Sequence, residues 1–478
     1  MVFSSIEFLF FFLPLVAIAY YLVRSRPSLQ TMLLLGASLG FYVWGSGAYV
    51  LILLASILLN WGGGLGIHHF KRAHQPCRAQ GILMAGVGLN LLLLIYYKYI
   101  GFFLSQAVLL ARYIDAPAPP VLDIALPIGI SFFTFQGISY LIDIASGKET
   151  PLTSLAQFSL YIAFFPQLIA GPIVRYSDIA PQLQSRHLKL EQFSLGVLRF
   201  AHGLIKKVVI ADSVAVVANA AFDSGAPLSA SDAWLGAIAY SIQIYFDFSG
   251  YSDMAIGLGA MFGFRFPENF LRPYSAISVT DFWRRWHITL SRWFRDYVYI
   301  PLGGSRRTPA KTYRNLIVVF LLTGLWHGAN WTFVVWGLYH GGLLLGERRL
   351  QLNPVSSGQP SAAWLRRGIT ALLVILGWVM FRASSLPNAL AYYRALANLS
   401  TWELGATLSR LDEPRAIAVL AVSLFVFLMP PSIQMGHYLQ YSTSRLAAAY
   451  SLVITVVLPL ALAFVVGGRF SPFLYFQF

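Results

Sequence analysis

Apolar runs of membrane-spanning length, separated by short basic loops, recur along the whole chain. Phe8–Val23, the pair Thr31–Trp44 and Tyr49–Leu65 with a GSG turn between them, and Gly81–Leu110 read as helices in a bilayer. Leu126–Ile144 follows, interrupted by Pro127 and Gly129. Phe158–Gly171 ends in AGP, where Pro172 cannot continue a helix. Such a break is tolerated at membrane depth only under a cover of protein or water, so a re-entrant loop is predicted there. Ala233–Ile244 and Ala255–Phe264 are apolar again, divided by YFDFSGYSD with Asp247 and Asp253. Gly368–Phe381, Ile417–Met429 and Leu452–Val466 supply the last spans. The pattern predicts an all-α polytopic membrane protein of about ten to twelve crossings, with re-entrant or interfacial helices besides.

The basic residues between the runs set the orientation. His68–Arg78 carries Lys71, Arg72 and Arg78, Glu347–Arg367 carries four arginines, and Arg272–Arg314 carries nine Lys/Arg against two Asp. All three are assigned to the cytoplasm, and Arg382–Arg415 to the opposite side. No Lys or Arg precedes Arg24, which suits a retained first helix rather than a cleaved signal peptide. Arg199, Lys206 and Lys207, within 186–207, predict a helix lying partly in the cytoplasmic interface. Within Arg272–Arg314, Thr280 is a candidate cap for a helix. That helix has Phe282, Trp286, Trp293 and Tyr297 on one face, and Arg284, Arg285, Arg292 and Arg295 mainly on the other.

The stretch Leu321–Gly342, LLTGLWHGANWTFVVWGLYHGG, reads as one long helix or as two half-helices meeting near Gly328. Twelve steps from Asn315 place His327 roughly 18 Å along it, near the centre of a bilayer core. An ionisable group at that depth is costly and marks a candidate site. Gly324 and Gly328 beside it leave the backbone open to close approach.

Composition agrees with a lipid solvent: 57% of the 478 residues are hydrophobic and 11% charged. A single integral-membrane domain over 1–478 is expected, with its core at about 100–381. The net charge of +15 sits in loops between spans, which argues for membrane topology and against nucleic acid. Cys77 is the only cysteine, so no disulfide framework or cysteine-based metal site exists, and no histidine pair has zinc-ligand spacing with a third ligand nearby. Walker, dinucleotide and G-x-S-x-G motifs are absent.

A central histidine without a metal fits acyl transfer. A neutral imidazole removes a proton from a hydroxyl as it attacks a thioester or ester carbonyl, or carries the acyl group itself for a time. Trp326, Asn330 or backbone N–H groups at a kink would stabilise the oxyanion. Asn330 and Trp331 fall on the His327 helical face, where Asn330 would orient the ring. His287, on an apolar stripe, is by itself more often structural. Thirteen residues beyond His327, His340 can share its site only if the helix breaks. Asp247 and Asp253 are expected to pair with arginine, or to bind an ion at a helix break.

Two segments carry a family resemblance. WRRWHITLSRWFRDYVYIPLGG at 283–304 and GLWHGANWTFVVWGLYHG at 324–341 resemble the membrane-bound O-acyltransferase family. LPIGISFFTFQGISYLIDI, FFPQLIAGPIVR and YFDFSGYSDMAIGLG are similar to its bacterial branch for polysaccharide modification, as is the opening MVFSSIEFLFFFLPL. The resemblance implies a helical bundle around a central tunnel, His327 as the essential histidine and His287 as its second. Trp326, Asn330, Trp331, Asp247 and Arg285 are the remaining candidates for the tunnel. The implied reaction relays an acetyl group from a cytoplasmic donor, such as acetyl-CoA or an acyl carrier, across the bacterial inner membrane. A periplasmic acetyltransferase partner within a polysaccharide-modification complex would receive it, for an exopolysaccharide such as alginate. No tightly bound cofactor or metal is implied. The alternatives are D-alanyl or other acyl transfer to another surface polymer, a polysaccharide or lipid transporter, and a scaffold for a secretion complex. The chain has no inverted repeat, which weakens the transporter.

Overall fold

The computed structural model describes residues 2–120, 122, 124–186, 188–223, 225, 227–351, 360–402, 414–428, 445–468 and 473–474. Parts of the predicted loop at 347–367 and of the segment at 382–415 lie outside them, as does Met429. Every regular element among the described residues is helical. The chain gathers into two compact units, one of residues 1–196 with 255–267, the other of residues 197–254 with 268–478.

The first unit holds α1 (Leu13–Leu22), α2 (Pro27–Ser46), α3 (Val50–Arg72), α4 (Pro76–Leu94), α5 (Ile100–Tyr113), α6 (Ile130–Ser146), α7 (Leu155–Ala163), α8 (Phe165–Leu168) and α9 (Tyr176–Gln184). The predicted pair around the GSG turn is α2 and α3, joined at Gly47, whose φ of 54° suits glycine. At 20 and 23 residues, each arm is about 30 Å or more long, enough for a bilayer core. Pro127 and Gly129 mark the start of α6 rather than interrupt it, and nearly all of α6 is buried. The AGP break is borne out: after α8 the backbone runs without helix from 169 to 175, and side chains on both sides of the break are buried.

The second unit holds most of α10 (Leu190–Ile205) and of α12 (Ala230–Met261), whose residues 190–196 and 255–261 are counted with the first, and α11 (Asp212–Phe222), α13 (Val279–Arg285), α14 (Ile288–Phe294), α15 (Pro309–His327), α16 (Trp331–Arg349), α17 (Pro360–Arg382), α18 (Leu386–Ala397), α19 (Pro414–Leu428) and α20 (Arg445–Val466). Two expectations change here. First, α12 is one helix of 32 residues that runs unbroken through Asp247 and Asp253. Second, the basic residues read as interfacial are buried: Arg199 is 5% exposed and Lys207 3%. One fact explains both. Arg199 Nε and Lys206 Nζ each donate to Asp253 at 2.8 Å, and Lys207 Nζ lies 2.7 Å from both Asp212 and Asp247. Buried charges are tolerable when paired and hydrogen-bonded, so neither solvent nor a helix break is needed.

Among the described residues, Pro27–Arg72, Pro76–Tyr113 and Ser361–Arg382 are long and apolar enough to cross a membrane. Glu7–Leu22, Ala416–Phe425 and Tyr450–Val466 are shorter apolar helices. Helices of this length and apolarity suit a lipid bilayer.

Helices α15 and α16 form an antiparallel hairpin that positions the candidate site. A Cβ on Gly324 would overlap the carbonyl of Phe333, and one on Gly337 the carbonyl of Phe320. These glycines bring the two backbones into contact, as small residues do between membrane helices. Gly324 is therefore covered by α16, and a side chain on Gly328 would strike the Phe333 ring. Neither glycine opens a path to the imidazole, contrary to the sequence reading. Gly337→Leu is expected to cost about 1–3 kcal/mol by forcing the hairpin apart. Thermal melting in detergent measures this, and an unchanged midpoint would refute the contact.

Candidate active site

His327 is the last residue of α15, and α16 begins at Trp331. The two-half-helix reading is the correct one, with the reversal at Gly328–Asn330. Gly328 is extended, with φ −170° and ψ 156°. The ring of His327 is 2% exposed. It packs on Trp326, Trp336 and Phe381 with ring centroids 5.0, 5.1 and 5.0 Å away.

The arginine-rich helix predicted over 280–299 is broken at Trp286–His287. Ser278 caps α13 by accepting from the Asp281 N–H at 3.0 Å. Thr280, the expected cap, instead bonds through its hydroxyl to Glu347 at 2.7 Å. His287 stands at the break with φ 42°, a left-handed conformation rarely adopted by residues other than glycine. That conformation turns its ring inward, where it is 0% exposed. The Phe248 ring lies 4.7 Å away and the Trp326 ring 5.8 Å. His287 and His327 thus both contact the Trp326 indole, which joins the two family motifs in one cluster. Nδ1 of His287 is 3.1 Å from Oδ1 of Asn269.

The other candidates divide. Asn330 caps α16 by accepting from the Thr332 N–H at 3.1 Å, and its Nδ2 donates to the Ser384 carbonyl at 3.0 Å. Those bonds hold the hairpin turn, so orienting the His327 ring is not the role its hydrogen bonds show. Trp331 is 48% exposed at the start of α16, beyond the break that ends the shared face. Asp247 pairs with Lys207 and accepts the Leu474 N–H at 2.9 Å. Its partner is a lysine where an arginine was expected. Arg285 is bound to Asp281 at 2.8 Å and donates to Ser275 at 3.3 Å. Asp247 and Arg285 are therefore held by ion pairs of their own.

Three further residues, not evident from the sequence motifs, complete the cluster. Trp336 lies between the rings of His327 and His340, 5.0 Å from the latter. The break that His340 required is present, and Trp283 Nε1 donates to its Nδ1 at 3.4 Å. Phe381 comes from α17, remote in sequence. Asn269 sits in PENFLRPY between Glu268 and Phe270, where no local pattern marks it as a histidine partner.

A cleft of about 200 Å³ opens between α13, α14 and α15. Trp283, Leu290, Phe294 and Phe320 form apolar walls, and the exposed Arg284 and Arg295 lie along it. It reaches Thr323, one turn before His327, but His327 does not line it. The expected tunnel to the imidazole is therefore not continuous with this cleft. Among the described residues, no cluster of three or more His, Cys, Asp or Glu is placed to hold a metal ion.

The model of the membrane-bound O-acyltransferase family matches residues 147–352, which include both histidines. A probable alginate O-acetylase of Pseudomonas putida is 42% identical over 100% of both chains. A peptidoglycan O-acetyltransferase of Helicobacter pylori is 39% identical over 84% of this chain and 80% of its own. A teichoic acid D-alanyltransferase of Bacillus subtilis is 30% identical over 65% of this chain and 78% of its own.

Proposed function

We propose, from the premise that the chain belongs to the membrane-bound O-acyltransferase family, that this O-acyltransferase moves an acetyl group from a cytoplasmic thioester donor toward a cell-surface polysaccharide. Alginate is the expected polymer and the bacterial inner membrane the site, with several crossings of it. The observation that carries the reading is the meeting of two buried histidines on one indole, Trp326.

His327 acts as the general base. Its neutral imidazole takes the proton of an acceptor hydroxyl as the oxygen attacks the acetyl carbonyl. The C–S bond then breaks, and the departing thiolate takes up the proton. Trp326 supplies an N–H to the developing oxyanion in a site that excludes water. Arg284 and Arg295 suit the phosphates of a donor such as acetyl-CoA, and the apolar walls of the cleft suit its thinner arm. Because Trp326, Trp336 and Phe381 close around His327, the reading requires one of these rings to swing aside when the donor enters. A periplasmic acetyltransferase of a polysaccharide-modification complex receives the group, and no bound metal or cofactor takes part.

The test offers purified protein in lipid vesicles either acetyl-CoA or an acetylated carrier protein, and measures release of free thiol with and without polysaccharide acceptor. Thiol release from one donor, dependent on His327, is expected. Consumption of neither donor would overturn the reading.

A further inference from the structure

We infer that Asn269 is a positioning residue that fixes the proton of His287 on Nδ1 and leaves Nε2 as the edge that accepts a proton. The inference rests on the acyl-transfer reading for its functional part and on geometry for the rest. Asn269 is fully buried, 18 residues before His287 and outside any helix. Its Oδ1 accepts from the Thr289 backbone N–H at 3.3 Å and from the Thr289 hydroxyl at 2.9 Å. A backbone N–H can only donate, so the carboxamide atom facing it is the oxygen. The same oxygen lies 3.1 Å from His287 Nδ1. An amide oxygen carries no proton. The contact is a hydrogen bond only when Nδ1 does, which puts the lone pair of the neutral ring on Nε2.

The other end of the side chain is held too. Nδ2 donates to the Ser252 hydroxyl at 3.1 Å, and the Asn269 carbonyl accepts the Ile288 N–H at 2.9 Å. One residue therefore grips main chain and side chains across 287–289, where His287 holds its strained left-handed conformation. The ring is pinned in plane and in tautomer together. The Phe248 ring packs against it edge-on at 4.7 Å and the Phe270 ring lies near-parallel to it at 6.4 Å.

The test compares Asn269→Leu, which removes the oxygen, with Asn269→Asp, which keeps an acceptor at the same place. Acetyl transfer is expected to fall about 100-fold in Asn269→Leu and to stay within about tenfold of wild type in Asn269→Asp. In a His287→Ala background, Asn269→Leu is expected to add no further loss. Nitrogen-15 NMR of histidine-labelled protein is expected to show His287 protonated on Nδ1 in wild type and Asn269→Asp, and to lose that signature in Asn269→Leu. Melting midpoints establish that the variants fold. Full transfer by a folded Asn269→Leu, or a wild-type ring protonated on Nε2, would overturn the inference. Normal transfer by His287→Ala would count against the catalytic reading of that histidine alone, because the nitrogen-15 spectrum decides the tautomer independently.

Discussion

Asp253→Ala is expected to destabilise the protein by about 3–5 kcal/mol, the usual cost of removing one member of a buried ion pair. The carboxylate lies among Arg199, Lys206 and His202, and Arg199 also reaches Glu268 at 2.8 Å. Without Asp253, Lys206 loses the carboxylate its ammonium bonds, and Arg199 loses one carboxylate contact, keeping that to Glu268. The loss is therefore an uncompensated buried charge, not merely a missing contact. Thermal melting of purified protein, together with its abundance in the membrane, measures the effect. Asp253→Glu, which keeps the charge, is expected to recover part of the loss. A melting midpoint for Asp253→Ala equal to wild type would show that these groups are not desolvated as the structure has them.

His327→Ala and His287→Ala are each expected to lower acetyl transfer by about 10²–10⁴-fold, the range for removing a positioned acid–base group. The double variant is expected to be little worse than the worse single one, because groups that work as one unit are strongly non-additive. Both rings contact Trp326 in one aromatic cluster, and melting midpoints of the variants separate a loss of transfer from a loss of fold. The check is donor thiol release with equal amounts of folded protein. Losses that multiply in the double variant would mean that the two histidines serve separate steps.

The hairpin turn was legible because Gly328 is a local signal, a helix breaker inside an apolar run. The buried break after α8 was legible for the same reason, through Pro172. The continuity of α12 was not. Asp247 and Asp253 look like a break until their partners are known, and those partners, Lys207, Lys206 and Arg199, lie 40 or more residues earlier. Gly324 was read as an opening because sequence shows the missing side chain but not the facing helix that fills the space. The two histidines could be named from their motifs. Their meeting on Trp326 depends on the break at Trp286–His287, and a periodic pattern read across that break gives the wrong faces. Asn330 and Asn269 illustrate the same limit. The nearer asparagine serves the helix end, and the remote one holds a histidine.

The central claim is that one imidazole, at the end of α15, performs the transfer. Its most direct test is the acetyl content and the yield of surface polysaccharide from cells whose only copy carries His327→Ala, with the variant confirmed in the membrane. The account predicts normal yield of polymer that lacks acetyl groups. Polymer acetylated to the wild-type level would contradict it, and loss of the polymer itself would point to export instead.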